Sequence, residues 1–237
     1  MLTLNMQPVE KQDLREDGSL DVHSIFYTIQ GEGPDAGTPA VFVRLAGCNL
    51  TCPICDTDYT SKRDRKSVEC IIEEIKSFSS CCDLVVLTGG EPFRQNIVPL
   101  VSVLINSHYS VQIETNGTFY SPAIVPLINS DQGWLSIVCS PKSPTIHSML
   151  AKVADAYKYV LDADHVHPAD GLPSVSMMGA ESPPARPPQN WYGDIFVQPM
   201  DTQDPIQNKR NQDAAIASCM KYGYRLSLQT HKILGME

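Results

Sequence analysis

Apolar residues recur along this chain in two rhythms. Short runs rich in β-branched residues, at positions 38–45, 84–88, 110–114, 134–139, 157–161, 194–198 and 224–228, have the length and make-up of strands. Between several of them the apolar positions step by three and four: Val68, Ile71, Ile72 and Ile75 in 67–78, and Ile97, Leu100, Val101, Leu104 and Ile105 in 94–107. Segments 122–129 and 207–222 share that step, the second through Ala214, Ala215, Ile216, Cys219 and Met220. The spacing predicts helices that bury one face. Strands alternating with helices predict an α/β fold with a parallel sheet, open or curled into a partial (β/α) barrel.

Polar signatures end these strands. Thr88-Gly89-Gly90-Glu91-Pro92 closes one and Glu114-Thr115-Asn116-Gly117 another; Ser140-Pro141-Lys142, Gln198-Pro199-Met200-Asp201 and Gln229-Thr230-His231-Lys232 close three more. Loops that follow parallel strands converge on one face of such folds, so these signatures are predicted to share one site.

Residues 162–190 break the rhythm with Pro168, Pro173, Pro183, Pro184, Pro187 and Pro188 and two glycines, which predicts a long surface loop or a partly mobile insertion in a single domain spanning 1–237. His165 and His167 inside it read as solvent-exposed loop residues rather than metal ligands. At 237 residues and 42% apolar content the chain is long enough to bury one sizeable core. A net charge of −9 argues against a nucleic-acid groove, which needs clustered Lys and Arg, and favours a small-molecule partner. No long uncharged apolar run is present, and Glu10, Lys11, Asp13, Arg15, Glu16 and Asp17 occupy the place of a hydrophobic leader, so a cytoplasmic protein off the membrane with reduced thiols is expected.

Cys48-Asn49-Leu50-Thr51-Cys52-Pro53-Ile54-Cys55 changes the picture most. Three thiolates this close in sequence can hold three corners of a 4Fe–4S cube, leaving one iron without a protein ligand and open to a small molecule. Zinc is the competing account, but structural zinc sites usually take a fourth Cys or His and often pair two CxxC-like knuckles; no second knuckle is present, though Cys81-Cys82 offers thiols. Cys70, Cys139 and Cys219 fall in apolar patterns and are predicted to be buried. Gly89-Gly90-Glu91-Pro92 adds glycines that admit close backbone approach and a carboxylate suited to an ammonium group.

The CxxxCxxC spacing followed by GGEP resembles the radical S-adenosylmethionine enzymes, in which the cofactor's amino and carboxylate groups bind the open iron and one electron yields a deoxyadenosyl radical. Phe26-Tyr27-Thr28-Ile29-Gln30-Gly31-Glu32-Gly33 and the ending Gln229-Thr230-His231-Lys232 narrow the resemblance to the 7-carboxy-7-deazaguanine synthases, over 26–237 apart from 162–190. That resemblance implies cluster ligation by Cys48, Cys52 and Cys55, and magnesium ligation by Thr57. It implies S-adenosylmethionine contacts from Ile54, Cys55, Asp56, Gly90, Glu91, Glu114, Asn116, Ser140, Pro141, Lys142, Gln198, Pro199, Met200 and Asp201. Pterin contacts are implied for Ile29, Gln30, Gly31, Glu32, Arg44, Thr88, His231 and Glu237, the last through its α-carboxylate. The implied reaction is ring contraction of 6-carboxy-5,6,7,8-tetrahydropterin to 7-carboxy-7-deazaguanine with release of ammonia, on the route to queuosine and related 7-deazapurines. An electron donor such as flavodoxin or ferredoxin and a homodimer belong to the same expectation. Two alternatives stay open: a glycyl-radical-enzyme activase, which shares the cysteine spacing but has no reason to carry QGEG or QTHK, and a zinc-stabilised binding module.

Overall fold

The computed structural model describes residues 5–78, 81–128, 134–179 and 181–236. Its strands are β1 (Leu20–Ile29), β2 (Pro39–Leu45), β3 (Asp64–Lys66), β4 (Leu84–Gly89), β5 (Ser110–Thr115), β6 (Leu135–Cys139), β7 (Ala156–Leu161), β8 (Asp194–Pro199) and β9 (Arg225–Leu226). Among the described residues they form one sheet in the order β3-β1-β2-β4-β5-β6-β7-β8-β9. β1 is antiparallel to both of its neighbours, and every pair from β2 onward to β9 is parallel.

Side chains alternate across this sheet with the strand period of two. Val85 and Leu87 of β4, Val111 and Ile113 of β5 and Tyr157 and Tyr159 of β7 join the main core with the helices. Those helices are α1 (Val68–Phe78), α2 (Val98–Asn106), α3 (Val125–Ile128), α4 (Ser148–Val153), α5 (Pro205–Tyr222) and α6 (Thr230–Leu234). Ile71, Ile72 and Ile75 form the buried stripe of α1, each worth roughly 2 kcal/mol relative to exposure. The opposite face carries two small apolar clusters, Ala40, Leu84 and Val86, and Val138, Ala156 and Phe196, together with the buried polar residues Gln112, Ser136, Lys158 and Gln198.

The sheet curls without closing. The Gly33 amide donates to Ser227 Oγ at 3.0 Å and the Thr230 amide to the Gly31 carbonyl at 3.2 Å. These bonds join the loops after β1 and β9, which are separated in the sheet by six strands. The result is the partial (β/α) barrel expected from the alternation of strands and helices.

The predicted boundaries shift where local chemistry intervenes. The segment 94–107 is not one helix: Pro92–Arg94 forms a 3-10 turn, and α2 starts at Val98 with a proline in its first turn, where a missing N–H costs nothing. Segment 122–129 divides into a 3-10 turn, Pro122–Ile124, and the single-turn α3, with residue 129 outside the described residues. α5 begins earlier than predicted because the Asp204 side chain accepts from the Ile206 amide and Pro205 fits the first turn. β1 lacked a readable alternation because the register with β2 shifts between Val22 and Ser24. Cys139 and Cys219 are buried as expected, but Cys70 is exposed, since it lies on α1 outside the isoleucine stripe.

The described residues of segment 162–190 have little regular structure, yet many of them are pinned to the fold. The Arg186 guanidinium donates to Asp170 Oδ2 at 2.8 Å, to the Pro173 carbonyl at 2.9 Å and to the Pro184 carbonyl at 3.0 Å, and it lies over the Tyr159 ring. Tyr159 in turn donates to the Ala185 carbonyl at 2.7 Å, while Ser218 and Tyr224 donate to the carbonyls of Gly171 and Asp170. His165 and His167 pair with Asp162 and Asp170 away from the barrel mouth. Replacing Arg186 by Ala is expected to speed proteolytic cleavage between residues 166 and 187 severalfold while lowering Tm by only about 2–4 °C. Limited proteolysis read by mass spectrometry, beside a melting curve, checks this; an unchanged cleavage rate would refute the pinning role.

Candidate active site

The carboxyl ends of the strands surround a cavity of about 280 Å³. One wall is the loop after β2, which carries Cys48, Cys52 and Cys55. An N-terminal strap holds this loop from outside: Asn5 donates to the Cys52 carbonyl at 3.1 Å, the Asn5 amide to the Pro53 carbonyl at 3.0 Å, Gln7 to the Thr57 carbonyl at 2.9 Å, and the Glu10 amide to the Cys48 carbonyl at 2.7 Å. Tyr59, with 1% exposure, anchors the loop's far end and donates to the Leu50 carbonyl at 3.3 Å. Burial pushes the Cys48 thiol up to about 12 and raises Cys52 and Cys55 as well. In the metal-free protein the three sulfurs therefore hold their protons, and metal loading must release them.

The Gly89-Gly90-Glu91 turn packs directly on this loop. The Gly90 amide donates to the Leu45 carbonyl at 3.2 Å and the Glu91 amide to the Gly47 carbonyl at 3.1 Å. A side chain on Gly90 has no room, because its Cβ would lie 2.1 Å from the Gly47 oxygen and 2.8 Å from Cys48 Cβ. Glu91 is fully buried beneath the cavity, accepting from Thr115 Oγ1 at 2.7 Å and from the amides of Asn116 at 2.8 Å and Phe93 at 3.0 Å. Burial nevertheless pushes its carboxyl up to about 7, against those hydrogen bonds and the charge of Lys142. Asn116 reaches back to the cysteine loop, donating to Asn49 Oδ1 at 3.0 Å.

The opposite wall joins β1, β5, β7 and the C-terminal segment. Lys158 Nζ donates to Glu32 and lies 3.6 Å from Glu114 Oε1. Glu32 also accepts from Gln229 at 2.8 Å and Gln198 at 3.4 Å, and Glu114 from Gln30 at 3.1 Å and Thr88 at 3.4 Å. Burial alone would lower Lys158 and raise Glu32; the charges of Glu114 and Glu32 outweigh it for the lysine, and Lys158 outweighs it for Glu32, so both are held ionised. Asp56, exposed at the rim, is held down to about 2, against partial desolvation, by Lys232, 2.8 Å away, and by Gln229.

Most residues singled out in the sequence meet around this one cavity: Ile29, Gln30, Glu32, Arg44, Ile54, Asp56, Thr57, Thr88, Gly90, Glu114, Asn116, Ser140, Lys142, Gln198, Pro199, Met200, Asp201 and His231 line it with the cysteines. Glu91 and Pro141 stand outside the lining, and Gly31 lies behind His231, where its own Cβ would fall 2.0 Å from Nδ1. Glu237 lies outside the described residues. Sequence reasoning missed Lys158 and Met177 as lining residues, and also Met178, whose Sδ sits 3.9 Å from Cys52 Sγ; Gln229 and Lys232, placed at the shared site as part of a strand-end signature, have no role of their own in that reading. A lysine between two buried tyrosines in a strand was the signal available for Lys158.

The donor set suits an iron–sulfur cluster with S-adenosylmethionine. Three soft sulfur ligands stand on one wall, and the remaining five of the eight cysteines do not line the cavity among the described residues. Backbone made accessible by Gly89 and Gly90 adjoins them, with the buried cation Lys142, its pKa lowered by burial, at their side.

Glu91 gives this site a pH signature. Its folded pKa, about 7, stands above the ordinary 4.5, so the folded chain binds the extra proton between those values. Stability from this group is complete below pH 4.5 and is lost as pH rises through about 7, a loss of a few kcal/mol. The metal-free, unliganded protein is expected to lose Tm between pH 5 and 8 more steeply than its Glu91→Gln variant; parallel profiles by scanning calorimetry would contradict this.

Comparison with known proteins agrees with this architecture. Residues 42–137 match the family model described as the radical SAM superfamily. A 7-carboxy-7-deazaguanine synthase from Rhodospirillum rubrum is 43% identical over 235 residues, covering 96% of this chain and 97% of its own length. The synthase of the same name from Rickettsia prowazekii is 38% identical, covering 94% and 92%. A crystal structure of QueE from Escherichia coli superposes with a TM-score of 0.65 at 23% identity, over 89% of this chain and 93% of that one, which shows a shared fold. Identity at the level of the first two relatives, sustained over nearly the whole of each chain, is family membership: this chain belongs to the 7-carboxy-7-deazaguanine synthases.

Proposed function

We propose that the chain is a carbon–nitrogen lyase that contracts 6-carboxy-5,6,7,8-tetrahydropterin to 7-carboxy-7-deazaguanine with release of ammonia, in the cytoplasmic route to queuosine and other 7-deazapurines. The observation that carries this reading is the division of one cavity into a three-thiol wall and a wall of ionised and amide side chains. When bound, the 4Fe–4S cluster and S-adenosylmethionine supply reductive cleavage of a sulfonium and hence a hydrogen-abstracting carbon radical.

The chain's own part is binding, orientation and exclusion of water. Cys48, Cys52 and Cys55 hold the cluster. Gly90, Ser140, Lys142 and the Gln198-Pro199-Met200-Asp201 turn cradle the cofactor, with Glu91 setting the shape of the Gly90 loop from below. Glu32 faces the heterocycle as an acceptor for adjacent ring N–H groups, and Gln30 and Thr88 flank it. Arg44, held at the end of β2 opposite Thr88 and stacked 5.0 Å from the Phe26 ring, offers its guanidinium to the substrate carboxylate. His231 closes the pterin side. Thr57, beside the third cysteine and 3.4 Å from Asp56, offers one oxygen to a magnesium ion that takes its other ligands from substrate and water.

An electron donor of the flavodoxin or ferredoxin type and a homodimeric assembly complete the reading. The synthase name on the relatives and the docking of His231 against Gly31 support it over a glycyl-radical activase.

Protein reconstituted with iron and sulfide without oxygen, then given dithionite, S-adenosylmethionine, magnesium and the carboxypterin, is expected to accumulate the deazaguanine by its ultraviolet absorbance. Cleavage of the cofactor with unchanged pterin would sink the assignment. Thr57→Ala is expected to raise the magnesium concentration for half-maximal turnover by roughly tenfold or more; an unaltered magnesium titration would remove Thr57 from the metal site.

A further inference from the structure

Lys158 joins carboxylates from two separated parts of the curled sheet, Glu32 after β1 and Glu114 on β5. Its side chain, 5% exposed for the residue as a whole, points into the barrel from β7 while Tyr157 and Tyr159 point into the core behind it. Glu32 follows β1 and Glu114 lies on β5, and no two of these three strands are adjacent in the sheet. Their meeting depends on the curl, and Lys158 occupies the point where they meet.

Each carboxylate is held by an amide as well as by the ammonium: Glu32 by Gln229 at 2.8 Å, Glu114 by Gln30 at 3.1 Å. Gln30 and Glu32 come from the same loop, so the Glu114 side of the network and the Glu32 side move together. Removing the ammonium would leave two half-buried carboxylates without the counter-charge they share. Glu32, whose carboxylate the ammonium holds in place, would then turn away, and the acceptor that faces the heterocycle would be lost.

We propose that Lys158 is a positioning residue for the pterin: by fixing Glu32 against Glu114 it keeps the pterin acceptor and the cofactor wall in one register, so that cofactor cleavage stays coupled to substrate turnover. This rests on the proposed reaction for the identity of the ligand.

The test compares wild type, Lys158→Met, Lys158→Arg, Glu32→Gln and the Lys158→Met/Glu32→Gln double variant, all cluster-loaded, using the non-reactive 6-carboxypterin as a fluorescent binding probe. Lys158→Met is expected to weaken probe binding and raise KM by at least about tenfold. Iron content should stay that of wild type, kcat should change far less than KM, and cofactor cleaved per product formed should rise severalfold. Lys158→Arg is expected to recover much of the binding. The double variant should bind the probe no more weakly than Lys158→Met, because both changes break one interaction.

Probe binding and KM like wild type in Lys158→Met, or losses that simply add in the double variant, would overturn the positioning role while leaving the reaction intact. If wild type binds the probe but forms no deazaguanine, the reaction falls and the binding cycle still decides the role of Lys158. Should Lys158→Met not fold, Lys158→Gln takes its place in the same cycle; failure of both to fold would make Lys158 a stability residue and end the proposal.

Discussion

The contact on which the site depends is the bare approach of one backbone to another between Gly47 and Gly90. No Cβ fits at Gly90, and the Glu91 amide bonds the Gly47 carbonyl through the gap this leaves. That contact fixes the loop bearing the cysteines to the loop bearing the glycines, independently of any ligand. From there the coupling runs on through ordinary hydrogen bonds: Glu91 takes Thr115 and the Asn116 amide at the end of β5, and the Asn116 side chain returns to Asn49 beside Cys48. Three strand ends are thereby closed into a ring, and a displacement at any member would be felt at the sulfurs. The N-terminal strap acts from the other side through Asn5, Gln7 and Glu10. The cysteine loop is thus held on two faces, which is the kind of preorganisation a site needs if its ligands are to be placed to within a fraction of an ångström.

The second wall is organised by charge rather than by close backbone packing. An isolated buried lysine would tend to lose its proton, and two isolated buried carboxylates would tend to gain one. Put together, Glu32 and Lys158 remain ionised at the cost of needing one another, with Glu114 3.6 Å from the same ammonium. Such groups contribute little net stability compared with an apolar plug. Ionised groups held by one another are what a polar ligand requires, since the charges are already oriented before it arrives.

The sequence makes the parallel sheet, the strand-end signatures and the thiol wall legible because each is written in consecutive residues: an apolar run, a turn of glycines, three cysteines at fixed spacing. What escapes it are relations between distant positions. β1 was hidden by its register shift between Val22 and Ser24, and β3, α4 and α6 were too short for a period to emerge. The strap at Asn5 to Glu10 looks like any polar N-terminus until its bonds to Cys48, Cys52 and Thr57 are seen. Lys158 carries no motif, and its partners stand 126 and 44 positions away in the chain, so only the curl of the sheet reveals what it touches. The proline-rich segment reads as loose because proline removes donors, yet its carbonyls are gathered by Arg186, Tyr159, Ser218 and Tyr224, all residues whose role depends on the packed fold.

Taken together, the shifted groups of the first wall describe a site that folds before its charges are balanced. Burial drives the Cys48 thiol toward about 12 and the Glu91 carboxyl toward about 7, so both resist giving up their protons, while the same burial lowers Lys142. Each of these costs falls when a group of the right sign enters: a metal replaces the thiol protons, a cationic amino group favours the carboxylate form of Glu91, and an anion favours the charged form of Lys142. A ligand that brings a positive and a negative group together, next to a metal, relieves all three at once. The wall is therefore selective by charge arrangement before any shape is considered, because a neutral molecule of the same size beside the same metal would leave the costs at Glu91 and Lys142 in place.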